Sequence, residues 1–235
     1  MVQMITSETA EMNAAIRVRF RKRGSLAYIA HLDLVRTITK AIARAGIPVR
    51  FSEGFNPHPR FSFATAMSIG LESDYEFMDI RLCKMVDEAA LLAALNQNLT
   101  EECPAIEAYY PTTKFTDIAF SSYYIEIETE GTSDALAARC DEALHAPAVV
   151  VYKRSKSGDK DTDIAPFIKE ARVSYENGRL VLRATLTADN ARFLNPEYLV
   201  TYLKNTCGIL QGPLTKERYT LLRTGLYTAD GTLFR

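Results

Sequence analysis

Residues 16–21 read Ile-Arg-Val-Arg-Phe-Arg, a strict alternation of apolar and basic side chains. Successive side chains of a β-strand point to opposite faces of its sheet, so this period of two predicts a strand that is buried on one face. We expect the apolar side chains to meet a core. We expect the arginines to line the other face of the sheet; they are Arg17, Arg19 and Arg21.

Residues 31–45 have the spacing of an amphipathic helix. Apolar residues recur every three or four positions, at Leu34, Val35, Ile38, Ala41, Ile42 and Ala45. Arg36, Lys40 and Arg44 are four residues apart, so they form one basic ridge along the helix surface. Gly46 and Pro48 follow, as is usual after a helix has ended.

A proline-rich loop comes next, reading Gly54-Phe55-Asn56-Pro57-His58-Pro59-Arg60. Each proline fixes its own φ and disfavours helical geometry in the residue before it. We expect a stiff loop that holds Asn56, His58 and Arg60 in a fixed relation and leads into a strand. The alternative is a rigid connector whose polar side chains only satisfy the local backbone.

The remaining patterns predict the order β-α-β-β-α-β twice. Helices are expected at 31–45, 86–95, 133–144 and 195–203. Strands are expected at 16–21, 49–51, 60–64, 75–83, 106–110, 120–128, 148–153, 171–175, 179–186 and 215–227, with a polar loop at 154–161. This order predicts an α+β fold of two tandem ferredoxin-like halves (βαββαβ), each packing an antiparallel sheet against helices. The predicted halves are 15–113 and 114–235, after a flexible tail at 1–14 that has no signal-peptide pattern.

The net charge of −1 hides an uneven distribution. From residue 16 to residue 60 the chain has ten basic residues and only two acids, Asp33 and Glu53, so this stretch carries +8 and the remainder carries −9. Such polarity is typical of a protein with one face that attracts an anionic partner.

Cysteine usage and hydropathy exclude several classes of protein. The four cysteines, Cys83, Cys103, Cys140 and Cys207, are scattered without a CxxC pair, so no zinc or iron–sulfur site is predicted, and no cofactor. Their scatter fits a cytoplasmic protein. No apolar run approaches the roughly 20 residues of a membrane span. A metal at the histidines would need a third ligand, for which Asp33, Glu53 and Asp79 are the candidates.

The motifs resemble those of a bacterial family of radical-SAM-associated proteins that carry a domain of unknown function. The resemblance is carried by the run from Ile16, His31-Leu32-Asp33-Leu34, Gly46, residues 54–60, Ser62-Phe63-Ala64, Gly70, and residues 76–79, 163–166 and 223–227. It implies a partner, because such domains occur beside or fused behind radical-SAM proteins with a cobalamin-binding-type region. The chain lacks the three-cysteine motif of a radical-SAM catalyst, so the chemistry would belong to that partner.

This chain departs from the family pattern at two positions. Ala30 stands where a serine is expected before His31, which removes an N-cap side chain. Ala165 stands where an arginine is usual before Pro166, which weakens any anion-binding role for that turn.

Three functions are compatible with these residues. The leading hypothesis is a non-catalytic accessory protein that binds an anionic substrate, structured RNA such as tRNA or rRNA, for modification by a radical-SAM enzyme. Phosphates would contact Arg17, Arg19, Arg21, Arg36, Lys40, Arg44, Asn56, His58 and Arg60, and bases would stack on Phe51, Phe55 or Phe61. The second is a metal-independent RNA endonuclease with His31 and His58 as base and acid.

The third is a structural adaptor whose basic face docks on an acidic protein. The basic residues also have an interpretation without any ligand. In it, the helix ridge is solvated and the strand arginines pair with acids of the second half, such as Glu126 or Glu128.

Overall fold

The computed structural model describes residues 14–65, 67–153, 158–189 and 192–235. They form a mixed α+β structure with a large, mostly antiparallel sheet, and the described part of the chain contains four α-helices. The predicted tail lies outside these residues apart from Ala14, which accepts a backbone hydrogen bond from Leu82 (3.0 Å). None of the helices in the described ranges is long and apolar enough to cross a membrane.

The chain divides into two compact units. The described part of the first unit comprises 14–21, 29–65 and 76–112. The second comprises 22–28, 67–75 and the described residues from 113 onward. Two short segments that the sequence pattern assigned to the first half therefore pack with the second unit.

The first unit contains the strand with alternating apolar and basic residues at 16–21. Its elements are β1 (Ala15–Lys22), α1 (His31–Arg44), β2 (Phe61–Phe63), residues 76–81 of β3 (Leu71–Arg81), α2 (Glu88–Asn96) and β4 (Ala105–Tyr109); residues 71–75 of β3 belong to the second unit. The strand order is β4-β1-β3, with β2 beside β3. Ile16, Val18 and Phe20 are fully buried, as their alternation predicts. Helix α1 buries Ile38 and Ile42 from its apolar stripe.

The second unit is built around a four-stranded antiparallel core. Its elements are β5 (Ile118–Glu128), α3 (Asp134–Leu144), β6 (Val150–Lys153), β7 (Lys160–Asp163), β8 (Ile168–Glu176), β9 (Arg179–Thr187), α4 (Glu197–Cys207) and β10 (Arg218–Thr228). The order is β10-β5-β9-β8, and residues 71–73 of β3 pair in parallel with 221–223 of β10. Short 3-10 helices occur at Gly24–Tyr28, Phe115–Asp117 and Ala165–Phe167.

All four predicted helices are confirmed, with ends that shift by up to four residues. Helix α1 begins after Ala30, which offers no side-chain cap, as its departure from the family pattern implies. Helix α2 begins later than predicted because the Asp87 carboxylate caps it by accepting from Ala90 N (2.8 Å).

Three strand predictions need correction. Residues 49–51 form only isolated bridges, from Val49 to Leu82 and from Phe51 to Pro59. Strand β3 begins at Leu71 and not at residue 75, because its first residues pair with β10, far away in sequence. Strand β6 does not join the main sheet. It forms a separate two-stranded ribbon with β7, whose first two residues, 160 and 161, were predicted as the end of a polar loop. Residues 154–157 of that predicted loop lie outside the described ranges.

Candidate anion-binding site

The proline-rich loop is closed by hydrogen bonds between Ser52 and His58. Ser52 N donates to His58 O (2.9 Å), and His58 N donates to Ser52 Oγ (3.1 Å). The same hydroxyl lies 2.9 Å from His58 Nδ1, so the imidazole is fixed from one side. Its other nitrogen, Nε2, makes no hydrogen bond to the described part of the chain. We call residues 52–58 the His58 loop.

Three arginines meet at the base of this loop. A closed ring of backbone hydrogen bonds connects them: Arg50 N donates to Arg81 O (2.7 Å), Arg81 N to Arg60 O (2.9 Å), and Arg60 N to Arg50 O (2.7 Å). Phe61 lies opposite Ile80 in the β2–β3 register, so Arg60 is directly opposite Arg81. Like charges directly opposite in an antiparallel pair are destabilising. We call Arg50, Arg60 and Arg81 the arginine junction.

An open depression of about 440 Å³ lies beside the junction. Among the described residues its lining contains no carboxylate; it consists of His58, Pro59, Arg60, Phe61, Ser62 and Arg81. The side chains of Arg60 and Arg81 are exposed, and neither forms an ion pair with any residue in the described ranges. The depression therefore offers two guanidinium groups and an imidazole to a ligand.

The predicted stacking aromatics divide into two groups. Phe55, at the tip of the loop, is fully exposed, and Phe51 is about half exposed. Phe61 instead packs edge-to-face against Phe63, with ring centroids 5.6 Å apart. Phe63 also contacts the exposed His31 ring (5.4 Å). No contact within the described residues joins the imidazoles of His31 and His58.

The strand arginines Arg17 and Arg19 form internal ion pairs. Arg17 is fully buried and donates two hydrogen bonds to the Asp79 carboxylate, at 2.7 and 2.9 Å. Arg19 Nη2 lies 2.7 Å from Glu107 Oε1. The expectation that these two arginines form no internal pairs is therefore wrong, and their contact with phosphates stays a prediction. Arg21, at the end of β1, is exposed.

The acids that hold these arginines lie in the first unit, on the neighbouring strands β3 and β4. Register explains the choice, because Arg19 is directly opposite Glu107 on β4. Glu126 and Glu128, the partners named from the sequence, instead pair with Arg179 and Arg218.

The basic ridge of α1 is exposed along its length. Arg36 binds Asp33 one turn earlier (2.7 Å), an ion pair in which both side chains are more than half exposed. Lys40 and Arg44 form no ion pair within the residues that the structure describes. The described residues contain no group of three His, Cys, Asp or Glu side chains that could hold a metal ion.

A comparison with protein-family models finds a match over residues 15–196, more than half of the chain. The chain belongs to a bacterial family described as "Uncharacterized protein conserved in bacteria (DUF2344)". This match covers α1, the His58 loop and the arginine junction. No curated protein matches the sequence.

Among solved structures, the chain is similar to one in a crystal structure of a Cbf5-Nop10-Gar1 complex. The sequences are 10% identical, the TM-score is 0.49, and the likeness covers 92% of this chain. The chain spans half the length of the chain it matches there.

Within the part matched by the family model, sequence reasoning identified the His58 loop and Arg60 but missed Arg81. Arg81 stands at the end of a predicted strand with no motif around it. Only the register of β2 against β3 places it opposite Arg60. The sequence did hold a signal: Arg60 begins one predicted strand and Arg81 lies near the end of the next, so antiparallel pairing of the two strands would bring them together.

Proposed function

We propose that this chain is a non-catalytic accessory protein that binds the phosphates of a structured RNA and presents the RNA to a radical-SAM enzyme. The observation that carries this proposal is the pair of exposed arginines, Arg60 and Arg81, held opposite each other beside a depression to which no described residue contributes a carboxylate. Two like charges directly opposite each other do not stabilise a folded protein. We therefore attribute this pair of arginines to the binding of a ligand of opposite charge.

Phosphate suits this arrangement better than a single carboxylate. A guanidinium binds phosphate oxygens through two parallel hydrogen bonds, and two guanidiniums can hold one phosphate from both sides. His58 supports the same ligand, because its Nε2 is unoccupied within the described residues. The exposed ring of Phe55 is available to stack on an unpaired base of the same RNA.

We further propose that both units are ferredoxin-like. The chain order supports this: β1-α1-β2-β3-α2-β4 in one unit and β5-α3-β8-β9-α4-β10 in the other. In both, the last strand lies beside the first, the first beside the third, and the third beside the second. The ribbon of β6 and β7 is then an insertion between α3 and β8.

The radical-SAM partner is proposed from the resemblance described above. The spacing of Cys83, Cys103, Cys140 and Cys207 provides no three-cysteine motif, and three of the four thiols are buried. The radical chemistry is therefore assigned to the partner, and substrate binding to this chain.

Filter binding of labelled tRNA and rRNA fragments tests the RNA part of the proposal. The double variant Arg60→Gln/Arg81→Gln should weaken binding by roughly tenfold or more, because two phosphate contacts are lost. Arg192→Gln is the matched control, since Arg192 is an exposed arginine of the second unit that pairs only with Asp189 within the described residues. Wild-type protein that binds no RNA, or a double variant that binds as tightly as wild type, would overturn the proposal.

A cleavage assay and a copurification experiment distinguish the proposed function from the two alternatives, the endonuclease and the adaptor. If the pure protein cuts RNA and His58→Ala abolishes the cutting, the endonuclease replaces the accessory protein. If the radical-SAM enzyme copurifies after nuclease treatment and RNA binding is absent, the chain is an adaptor. The proposed function expects RNA binding without cleavage.

A further inference from the structure

A second polar depression lies on the second unit, on the face of the sheet away from the helices α3 and α4. Its volume is about 440 Å³, within the range of small-molecule sites. Strands β10, β5, β9 and β8 all contribute to it, through Ser122, Tyr124, Glu170, Arg172, Arg183, Thr185, Thr224 and Tyr227 among others. Neither the family description nor the proposed function assigns it a role.

One side of this depression is a row of hydroxyl groups. Ser122 Oγ lies 2.9 Å from Thr224 Oγ1 and 3.4 Å from the Tyr227 hydroxyl. Gly225 makes this row possible, because a Cβ atom there would meet the Tyr227 hydroxyl at 2.7 Å. Thr185 is directly opposite Ser122 on β9 and extends the row.

The other side is a fixed guanidinium supported by an aromatic ring. Arg183 lies over the Tyr124 ring, 5.1 Å from its centroid. The Glu176 carboxylate holds the guanidinium with two hydrogen bonds, at 2.6 and 3.1 Å. These bonds lower the pKa of Glu176 to about 2, so the pair stays charged at neutral pH. Half of the Arg183 side chain remains exposed to a ligand.

The charges around the depression largely cancel. Glu176 is paired with Arg183, Arg172 with Asp141 (3.5 Å), and Glu126 and Glu128 with Arg179. Glu170 is different, because it is exposed and forms no ion pair within the described ranges. A ligand here would be recognised by stacking and by hydrogen bonds to hydroxyl groups, and not by net charge.

We infer that this depression binds one unpaired ribonucleotide of a single-stranded RNA. The base stacks on the Arg183 guanidinium, as bases do on aromatic rings and guanidinium planes in RNA-binding sheets. The ribose lies toward the hydroxyl row, where the Glu170 carboxylate accepts a hydrogen bond from its 2′-hydroxyl. Two residues along a strand, from Tyr124 to Ser122, span roughly 7 Å, the scale of one nucleoside.

This depression and the one beside the arginine junction share no lining residue, so the two proposals can be tested independently. The test uses the chain with Arg60→Gln/Arg81→Gln, in which the junction is silenced. A short labelled oligoribonucleotide without secondary structure is titrated by fluorescence anisotropy, in parallel with the oligodeoxyribonucleotide of the same sequence.

We expect tighter binding of the ribo form and little dependence on salt. Tyr124→Ala, which removes the support of Arg183, should weaken binding roughly tenfold. Tyr124→Phe keeps the ring and should bind as before, which separates lost stacking from lost folding. Glu170→Gln should reduce the ribo-over-deoxy ratio, a readout that a general change in charge does not move.

Tyr152→Ala is the control for removing an exposed tyrosine elsewhere in the unit, on β6. The inference is overturned if the junction-silenced chain binds no oligoribonucleotide, if the ribo and deoxy forms bind equally, or if Tyr124→Ala binds as tightly as Tyr124→Phe. None of these results affects the proposed function, which is tested by structured RNA and the junction variants.

Discussion

Gly225 is required for space and not for an unusual backbone angle. A Cβ atom at this position would lie 2.7–2.9 Å from three atoms of the Tyr227 side chain. Gly225→Ala should therefore push the phenol away from Ser122 and destabilise the protein by about 1 kcal/mol, the low end of overpacking, because the phenol is the far end of a partly exposed side chain that can move. Urea unfolding measures this change.

A double-mutant cycle tests the cause of that destabilisation. Tyr227→Ala removes the atoms that the added methyl group would contact, so Gly225→Ala should have little effect in the Tyr227→Ala background. If Gly225→Ala lowers the unfolding free energy by the same amount in both backgrounds, contact with Tyr227 does not explain why a glycine is needed at this position.

Asp79 holds a fully buried arginine, so its removal should be costly. Asp79→Ala leaves the Arg17 guanidinium without the carboxylate that accepts two of its hydrogen bonds, and we expect a loss of about 3 kcal/mol in unfolding free energy. Asp33→Ala breaks the exposed pair with Arg36 and should cost about 0.5 kcal/mol. Equal losses for the two variants in urea titrations would contradict a structural role for the Arg17–Asp79 pair.

Glu217, just before β10, connects the residues that follow β5 to the loop that precedes β10. The buried carboxylate accepts hydrogen bonds from Thr129 Oγ1 (2.6 Å), from Glu130 N (2.8 Å) and from Gly212 N. These bonds, that of Thr129 first, lower the pKa of Glu217 below its ordinary value of 4.5. Glu217→Gln should lower the melting temperature at neutral pH, because an amide accepts these bonds less strongly than a carboxylate.

The pH dependence of that difference has a defined sign. A folded-state pKa below the unfolded value gives a stabilisation that is complete above pH 4.5 and is lost as pH falls through the folded pKa. The melting temperatures of wild type and Glu217→Gln should therefore converge in acid. Glu130→Gln, at an exposed glutamate nearby, is the control and should leave the melting temperature unchanged at neutral and at acid pH. A gap that stays constant down to acid pH would falsify the assignment.

The elements that sequence reasoning predicted well are those whose signal is local. The alternation at 16–21 and the stripe at 31–45 are both set by neighbouring residues, and β1 and α1 follow them. The partner of Arg17 is 62 residues away, and only strand register brings it there. Strand β7, Lys160–Asp163, has no apolar alternation, so nothing local marked it as the partner of β6.

Where β2 pairs with β3, the arginine junction should lower the stability of the fold while it provides cations for binding. Arg81→Gln removes one of two like charges that lie directly opposite, and we expect it to raise unfolding free energy by about 0.2–1 kcal/mol. The gain should shrink in high salt, which already screens the repulsion. Lys84→Gln, at an exposed cation just beyond β3, serves as the control for a lost surface charge. A loss of stability in Arg81→Gln would show that Arg81 has a structural role.

At the scale of the whole molecule, the net charge of −1 gives RNA no general attraction. Sequence reasoning could see that the basic residues concentrate between residues 16 and 60. It could not see that folding pairs Arg17 with Asp79 and Arg19 with Glu107. The cations that stay exposed at the junction and on the α1 ridge are therefore the ones on which binding should depend.

Under the proposed function, the salt dependence of RNA binding counts the phosphates that the whole chain contacts. Each cation–phosphate contact releases counterions and adds about 0.7–0.9 to the slope of log K against log salt. Arg60→Gln/Arg81→Gln should therefore lower the slope for structured RNA by roughly 1.5. The triple variant Arg36→Gln/Lys40→Gln/Arg44→Gln asks whether the α1 ridge contacts the same RNA, because an added decrease would place phosphates there as well. A slope that the junction variant leaves unchanged would mean that the phosphates are bound elsewhere, since a contact cannot be lost without its counterions returning.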